Sequence, residues 1–190
     1  MTLLAEAVTA STLVGETSSR SRKVAILVEL LRRVEPDEVP ICVGFLSGVP
    51  RQGRVGVGYR SIYGVDSRPA DVATLTVTDV DRAIDEIERA TGAGSARRRS
   101  DLLGRLLGRA TAEEAAFLRR LFTGELRQGA LAGIMADAIA KAAGVPGEIA
   151  RRALMLSGDL TRMAQVAMTE GERGLRAVGF EIFRPILPML

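Results

Sequence analysis

Residues 95–129 read SARRRSDLLGRLLGRATAEEAAFLRRLFTGELRQG, and residues 19–53 read SRSRKVAILVELLRRVEPDEVPICVGFLSGVPRQG. A shift of 76 positions places one stretch on the other without a gap, and 11 of the 35 aligned positions are identical. The closing triplet is among them, since Arg51-Gln52-Gly53 falls on Arg127-Gln128-Gly129. Two copies at so long a period do not make a solenoid. The alignment therefore predicts a duplicated module with internal pseudo-twofold symmetry.

Each copy is predicted to fold as two helices followed by a loop. The first helix of each copy carries apolar residues at helical spacing, namely Ile26, Leu27, Leu30, Leu31 and Val34, and Leu102, Leu103, Leu106, Leu107 and Ala110. Thr111 and Glu114 predict a capping box at the start of one second helix, and Pro36 suits the first position of the other. Both second helices are expected to end at a glycine, Gly48 or Gly124, before the Arg-Gln-Gly loop.

The remaining chain also indicates helices, so the predicted fold class is all-α. We expect a helix over about residues 3–14, one capped by Asp79, one closed by Gly144, and two opened by Pro146 and Ser157. Residues 53–78 read as loops with a short extended piece at 75–77. The predicted division is a helical domain over 1–180, with sub-modules of about 1–78 and 79–180, and the start of a linker over 181–190.

Composition excludes several classes of protein and of site. The 190 residues contain no His and one Cys, which removes His-based catalytic triads, His metal ligands, disulfide frameworks and thiolate metal clusters. No apolar run approaches the roughly 18 residues of a membrane span, and no signal sequence is recognisable. Cys42 reads as a core residue, and no nucleophile–base pair is apparent. We expect a soluble, intracellular protein in the cytoplasm, at the nucleoid.

Basic residues crowd the predicted start of the first helix in both copies. Helix N-termini favour acidic residues, because the helix dipole is positive there. Here Arg20, Arg22 and Lys23 stand at one start, and Arg97, Arg98 and Arg99 at the other. An anion would relieve this conflict, since free backbone amides, a Ser19 or Ser95 cap and several cations together suit a phosphate. The alternative is a solvated basic face.

The Arg-Gln-Gly loops favour the same ligand, because glycine lets a backbone approach closely and glutamine can contact a sugar or base edge. An ordinary turn is the alternative for either loop alone. Only Tyr59 and Tyr63 stand near basic residues, which favours duplex backbone recognition over base stacking on a single strand. The acidic group at Asp79, Asp81, Asp85, Glu86 and Glu88 is interpreted as a solvated helix face.

Four motifs in this order resemble the N-terminal DNA-binding domain of ATP-dependent DNA ligases of the bacterial and archaeal type. They are Thr17-Ser18-Ser19-Arg20; Gly92-Ala93-Gly94-Ser95 with Arg97-Arg98-Arg99; Gly124-Glu125-Leu126-Arg127-Gln128-Gly129 with Gly133-Ile134-Met135-Ala136-Asp137-Ala138; and Arg184-Pro185-Ile186-Leu187-Pro188-Met189-Leu190. The resemblance implies an all-helical domain that grips duplex DNA on both sides of a nick, through phosphates and the minor groove. It also implies ATP and Mg as cofactors of the parent enzyme, in DNA repair and replication.

One departure from the family concerns its nucleophile, a lysine in a Lys-x-Asp-Gly motif. Lys23 is followed by Val24-Ala25-Ile26 and Lys141 by Ala142-Ala143-Gly144, so neither fits. The resemblance therefore places that lysine beyond Leu190 in an adenylation domain. We expect this chain alone to be inactive, to hold no cofactor, metal or catalytic residue, and to bind nicked double-stranded DNA as a monomer.

The predicted DNA-binding residues are Ser19, Arg20, Arg22, Lys23, Arg51, Gln52, Gly53, Arg54, Ser95, Arg97, Arg98, Arg99, Arg127, Gln128 and Gly129. Two other classes of function stay open on these residues. One is a helical protein-interaction module with a basic surface that does not bind DNA. The other is a double-stranded RNA binder.

Overall fold

The computed structural model describes residues 1–53, 55, 57–65, 67–126 and 131–180. Ten helices and no β-strand lie within these ranges, which confirms the all-α fold class. The helices are α1 (Leu4–Glu16), α2 (Arg20–Leu31), α3 (Val39–Ser47), α4 (Tyr59–Tyr63), α5 (Val77–Arg89), α6 (Ser95–Arg109), α7 (Ala112–Thr123), α8 (Leu131–Ala143), α9 (Gly147–Ser157) and α10 (Leu160–Ala177).

The aligned stretches fold as matching helix pairs, α2 with α3 and α6 with α7. Gly48 ends α3 with φ 76° and ψ 13°, and Gly124 ends α7 with φ 72° and ψ 18°. Both glycines adopt the left-handed conformation that closes a helix without a Cβ penalty. Their 76-residue offset is that of the sequence alignment.

The helices that precede these pairs are joined at their first residues. Leu3 and Thr76, the N-cap residues of α1 and α5, form an isolated antiparallel bridge. The Leu4 amide donates to the Leu75 carbonyl at 2.8 Å, and the Val77 amide donates to the Thr2 carbonyl at 3.0 Å. An exchange of two such bonds is locally two-fold symmetric. Residues 75–77, which the sequence predicts to be extended, form one side of this bridge.

Helix boundaries correct several predictions. Thr76 caps α5 and Asp79 is its third residue, so the expected cap by Asp79 is wrong, although the two form a capping box. Pro36 does not begin α3, which starts at Val39. Asp159, rather than Ser157, caps α10. The predicted box of Thr111 and Glu114 is confirmed. For α5 and α10, a neighbouring residue with capping chemistry, Thr76 or Asp159, makes the cap hydrogen bond instead.

Glu38 and Glu114 are aligned in the repeat and buried in the structure, but they serve different contacts. Glu114 accepts a hydrogen bond from the Thr111 amide of its own helix start at 2.9 Å. Glu38 accepts one from the Thr2 amide at 2.8 Å and one from the Thr78 hydroxyl at 2.9 Å. These bonds lower the pKa of Glu38, although burial alone would raise it. Glu38 thus ties α3 to the starts of α1 and α5.

One hydrophobic core runs through both copies. α8 packs on α2, α10 packs on α3 and on α9, and α7 packs on α1. The stripe leucines predicted from helical spacing are buried, and so is Cys42, whose pKa burial raises to about 12. The first helix of each copy therefore turns one face to the core and the other to solvent.

The segment predicted as loops contains a short helix, α4, that the sequence analysis missed. Ile62 is fully buried and anchors α4, which packs on α6 and α7. The expected linker start at 181–190 lies outside the described residues. Within the described ranges, no helix combines the length and the apolarity that crossing a bilayer requires.

Candidate nucleic-acid interface

The start of α2 has the predicted cap. The Ser19 side chain accepts a hydrogen bond from the Arg22 amide at 3.3 Å, while the Ser19 amide donates to Thr17 Oγ1 at 3.2 Å. The cap satisfies one of the free amides of the first turn. Ser21, Arg22 and Arg20 are exposed at this helix end.

The cations of α2 divide into paired and unpaired side chains. Arg20 Nη2 donates to Asp137 Oδ2 at 2.8 Å, and Arg151 Nε donates to Asp137 Oδ1 at 3.3 Å. Partial burial would raise the pKa of Asp137, but the Arg20 hydrogen bond and the Arg151 charge outweigh it and lower this pKa. Arg22 and Lys23 have no ion pair within the described ranges. Arg20 is thus engaged with α8, whereas Arg22 and Lys23 have no carboxylate partner in the described part of the chain.

The start of α6 is built differently, because Gly94 and not Ser95 is its N-cap. Gly94 has φ 78° and offers no side chain, and Ser95 is already the first helical residue. The predicted cap by Ser95 is therefore wrong. The left-handed Gly92 and Gly94 turn the chain into the helix one residue earlier than the serine. The Ser95 amide donates to the Gly92 carbonyl at 3.2 Å and the Arg98 amide to the Gly94 carbonyl at 3.1 Å, and no side chain caps the first turn.

The three consecutive arginines near the start of α6 are not equivalent. Arg97 and Arg98 are exposed, and neither has an ion pair in the part of the chain that the structure describes. Arg99 is half-buried, and its Nε is enclosed without a protein partner. The two helix starts therefore present Arg22 and Lys23 in one copy and Arg97 and Arg98 in the other. Of these four residues, only Arg22 and Arg98 match each other in the 76-residue alignment, where Arg97 falls on Ser21 and Lys23 on Arg99.

Arg51 and Gln52 point to α5, where an acidic pair holds them. Arg51 Nε lies 2.7 Å from Asp81 Oδ1, and Arg51 Nη2 lies 2.7 Å from both Asp81 Oδ2 and Asp85 Oδ2. Gln52 Nε2 donates to Asp81 Oδ1 at 2.9 Å and to Asp85 Oδ1 at 2.7 Å. This bidentate arrangement matches the guanidinium fork to the carboxylate.

The acidic face of α5 is consequently not a solvated face throughout. Asp81 is only 5% exposed, which corrects the interpretation of this group for Asp81. Burial would lower the pKa of Arg51, but the Asp81 hydrogen bond, followed by the charges of Asp81 and Asp85, raises it. Burial would raise the pKa of Asp85, and the Gln52 and Arg51 hydrogen bonds lower it. Local sequence patterns did not predict this contact, because its partners stand about thirty residues apart in the chain.

The turns that end the two copies lie side by side. A Cβ placed on Gly48 would be 3.3 Å from the Leu126 carbonyl oxygen, so the two turns approach closely. A cleft between them is lined by Gly48, Gly53 and Val55 on one side and by Phe122 and Gly124 on the other. Gly53 has φ 76° and no neighbour within 4 Å of its Cβ position. Arg54 and the second triplet, Arg127-Gln128-Gly129, lie outside the described residues.

Two exposed tyrosines, the first and last residues of α4, follow the cleft residue Val57 in sequence. Tyr59 and Tyr63 stack with ring centroids 4.3 Å apart and an interplanar angle of 26°. They are 61% and 41% exposed. Partial burial and the charge of Glu125 raise the pKa of Tyr63, and Arg119 opposes this rise. The spacing of four residues was the available signal, since on a helix it places both rings on one face.

Comparison with known proteins gives the chain its relatives. A family profile described as "DNA ligase N terminus" matches residues 57–140. A protein named "Probable DNA ligase" from Rhodococcus opacus (strain B4) is 50% identical over 188 residues, which cover 99% of this chain and 37% of that protein. Proteins of the same name from Nocardia farcinica (strain IFM 10152) and Saccharopolyspora erythraea are 50% and 48% identical. The chain spans 36–37% of the length of each of these three relatives.

Proposed function

Because the chain belongs to the family of the N-terminal domains of ATP-dependent DNA ligases, we propose that it binds duplex DNA around a nick. The sugar-phosphate backbone would supply the main contacts, and the minor groove would be read by shape and charge. Such contacts position a protein on DNA and carry little sequence information. The proposal places the protein on double-stranded DNA in the cytoplasm, at the nucleoid, as a monomer.

The observation that carries the proposal is the set of unpaired cations at the two equivalent helix starts. Arg22 and Lys23 begin α2, and Arg97 and Arg98 begin α6, all without an ion pair in the described ranges. Cations at a helix start cost free energy, because the helix dipole is positive there. A phosphate is attracted by both the cations and the free amides, so its binding offsets this cost. Two such starts would meet two stretches of one duplex backbone.

The structure supports a division of labour among the other predicted residues. Ser19 shapes the start of α2, and Arg20, Arg51 and Gln52 act as positioning residues, because they bind carboxylates of this chain. Ser95 and Arg99 stand in the first turn of α6. Gly53 and the cleft between the turns would let the backbone approach the minor groove. For Arg54, Arg127, Gln128 and Gly129 the proposal rests on the sequence.

Adenylation and sealing are assigned to the remainder of the parent enzyme. The ATP of the proposed ligase does not fit this chain's lysines, because neither Lys23 nor Lys141 stands in a Lys-x-Asp-Gly motif. Nor do the described residues offer Mg a cluster of three or more carboxylate ligands. We therefore expect the chain alone to form no covalent adenylate.

A salt series of anisotropy titrations with nicked, intact and RNA duplexes tests the proposed function. Four phosphate contacts predict a slope of log K against log salt of about −3.6, at ~0.9 per contact. The double variant Arg97→Glu/Arg98→Glu should weaken binding at least tenfold and make the slope shallower by about 2. A steep slope and preference for DNA over RNA support the proposal.

The control for this variant is Arg173→Glu, at an exposed position on α10 that carries none of the proposed contacts. It should retain wild-type affinity within a few-fold. A flat salt dependence of the wild-type chain would instead favour a protein-interaction module. Equal or tighter binding to the RNA duplex would favour an RNA binder, because the A-form minor groove is wide and shallow.

A further inference from the structure

We infer that Tyr59 and Tyr63 form a stacking platform for a base that lies directly beside a strand break, where one backbone link is missing. The inference rests on the proposed function and extends it from gripping the duplex to sensing the break. It assigns to Tyr59 the direct contact and to Tyr63 the support beneath it.

The platform has the exposure that a base contact needs. Among the other aromatic rings in the described part of the chain, Phe45 and Phe117 are fully buried and Phe122 is nearly so, whereas Phe180 is 74% exposed. Tyr59 is the more exposed ring of the pair, and one face of it is covered by Tyr63 at a stacking distance of 4.3 Å. With 61% of Tyr59 exposed despite this contact, ring surface is left for a second planar group. Offset stacking of aromatic groups is favourable, and every base has a suitable face.

The platform is also held in place before any ligand arrives. Both rings stand on α4, whose Ile62 is fully buried, and α4 rests on α6 and α7. Beneath Tyr59, the Tyr63 side chain lies within reach of the charges of Arg119 on α7 and of Glu125, which follows the turn that ends α7. A preorganised ring loses little conformational freedom on binding.

The position of the platform connects it with the proposed DNA surface. Glu125 directly follows Gly124, whose turn forms one wall of the cleft, and Leu126 separates it in sequence from the second Arg-Gln-Gly triplet. α6, on which α4 packs, carries Arg97 and Arg98 at its start. Arg60 lies between the two tyrosines in sequence and is exposed. This charge complements the phosphates on either side of an opened base step.

Duplex chemistry explains why the occupant would be a base at a break. In an intact duplex both faces of each base are covered by neighbours, and unstacking costs free energy that is least for a damaged or unpaired base. At a nick one backbone link is missing, so the flanking base can leave the stack more readily. Tyr59 would then replace the lost stacking partner.

The decisive comparison uses the whole chain and three variants, Tyr59→Ala, Tyr59→Phe and Arg97→Glu/Arg98→Glu. Binding to a nicked duplex and to its intact twin is measured by anisotropy at several salt concentrations. Tyr59→Ala should bind nicked DNA about 5- to 10-fold more weakly, with intact-duplex affinity and salt slope unchanged. Tyr59→Phe keeps the ring and should bind as the wild type does.

Wild-type affinity of Tyr59→Ala for nicked DNA would overturn the inference and leave the proposed function intact. An equal loss on nicked and intact DNA would also overturn it, because the contact would then be insensitive to the break. A wild-type chain with a flat salt slope would overturn both proposals.

A second measurement needs no variant and covers the case in which Tyr59→Ala fails to fold. A fluorescent analogue, 2-aminopurine, replaces the base beside the nick, and its emission is followed on addition of the wild-type chain. A change that saturates with binding at the nick, and is absent with the same analogue in intact duplex, supports the platform. Unchanged emission on saturated nicked DNA overturns it.

Discussion

Arg51 and Arg22 show how a carboxylate within reach changes the use of an arginine. Arg51 lies 2.7 Å from two aspartates of α5, whereas Arg22 is exposed at a helix start without an ion pair in the described ranges. The first guanidinium holds a loop against α5, and the second is the one that we propose to bind a phosphate. Both arginines align with arginines of the second copy, Arg127 and Arg98. Residue type and repeat position alone therefore do not assign a role.

The buried end of the Arg51 pair can be tested by Asp81→Asn. The substitution preserves shape but removes the charge that receives Arg51 and Gln52, so we expect a loss of about 1–3 kcal/mol in the free energy of unfolding. The lower part of this range is favoured, since the Arg51 side chain is 44% exposed and solvent screens it. Urea denaturation measures the change.

The matched variant for this measurement is Asp101→Asn, at an exposed aspartate of α6. Its free energy of unfolding should stay within about 0.5 kcal/mol of wild type. Equal stability of the two variants would mean that the acidic pair does not hold the loop.

Among the elements, α10 departs most from regular helix geometry. Gly171 has φ 62° and ψ −148°, a region that essentially only glycine populates, and the helix kinks there. After the kink, Gly174 packs so closely that an added Cβ would lie 2.8 Å from Val166 Cγ1. The last turns of α10 therefore follow a direction that two glycines permit.

Gly171→Ala tests the kink without adding a clash, because nothing lies within 4 Å of its Cβ position. The cost is conformational only, and we expect a loss of about 1–3 kcal/mol in thermal or urea unfolding. Gly15→Ala in α1 is the control, since its Cβ position is also free and its φ is not positive. That variant should gain about 0.5–1 kcal/mol. A stabilised Gly171→Ala protein would contradict the kinked geometry.

Across the whole molecule, carboxylates join segments that are distant in the chain. Asp137 links α8 to α2 and α9, Asp85 links α5 to the first Arg-Gln-Gly loop, and Asp79 links the start of α5 to Arg109 at the end of α6. Burial would raise the pKa of each, yet bonds from arginines, Gln52 and Thr76 lower all three. The charged forms of these groups therefore stabilise the folded state.

These lowered pKa values predict acid sensitivity with a definite sign. A carboxyl whose folded-state pKa is lowered adds stability that is complete above its unfolded-state pKa and is lost as pH falls through the folded-state value. The melting temperature should thus be nearly level from pH 7 to about pH 5 and decline below the ordinary aspartate pKa of 3.8.

Asp137→Asn provides the check on this prediction. It should lower the melting temperature at pH 7 and lose less stability than wild type between pH 5 and pH 3, whereas Asp101→Asn should follow the wild-type curve. Parallel curves for wild type and Asp137→Asn would rule out a role of Asp137 in the acid response.

Local patterns were enough to predict the helical class, the buried stripes of α2 and α6, the capping box at Thr111 and the closing glycines Gly48, Gly124 and Gly144. Each depends on residues within a few positions of one another, where periodicity and capping act. The contacts of Arg20 with Asp137 and of Arg51 with Asp81 join residues 117 and 30 positions apart. Only tertiary packing brings such groups together. It also determines that Gly94 is the N-cap of α6. In the same way, it places the stacked tyrosines on α4, which packs against α6 and α7.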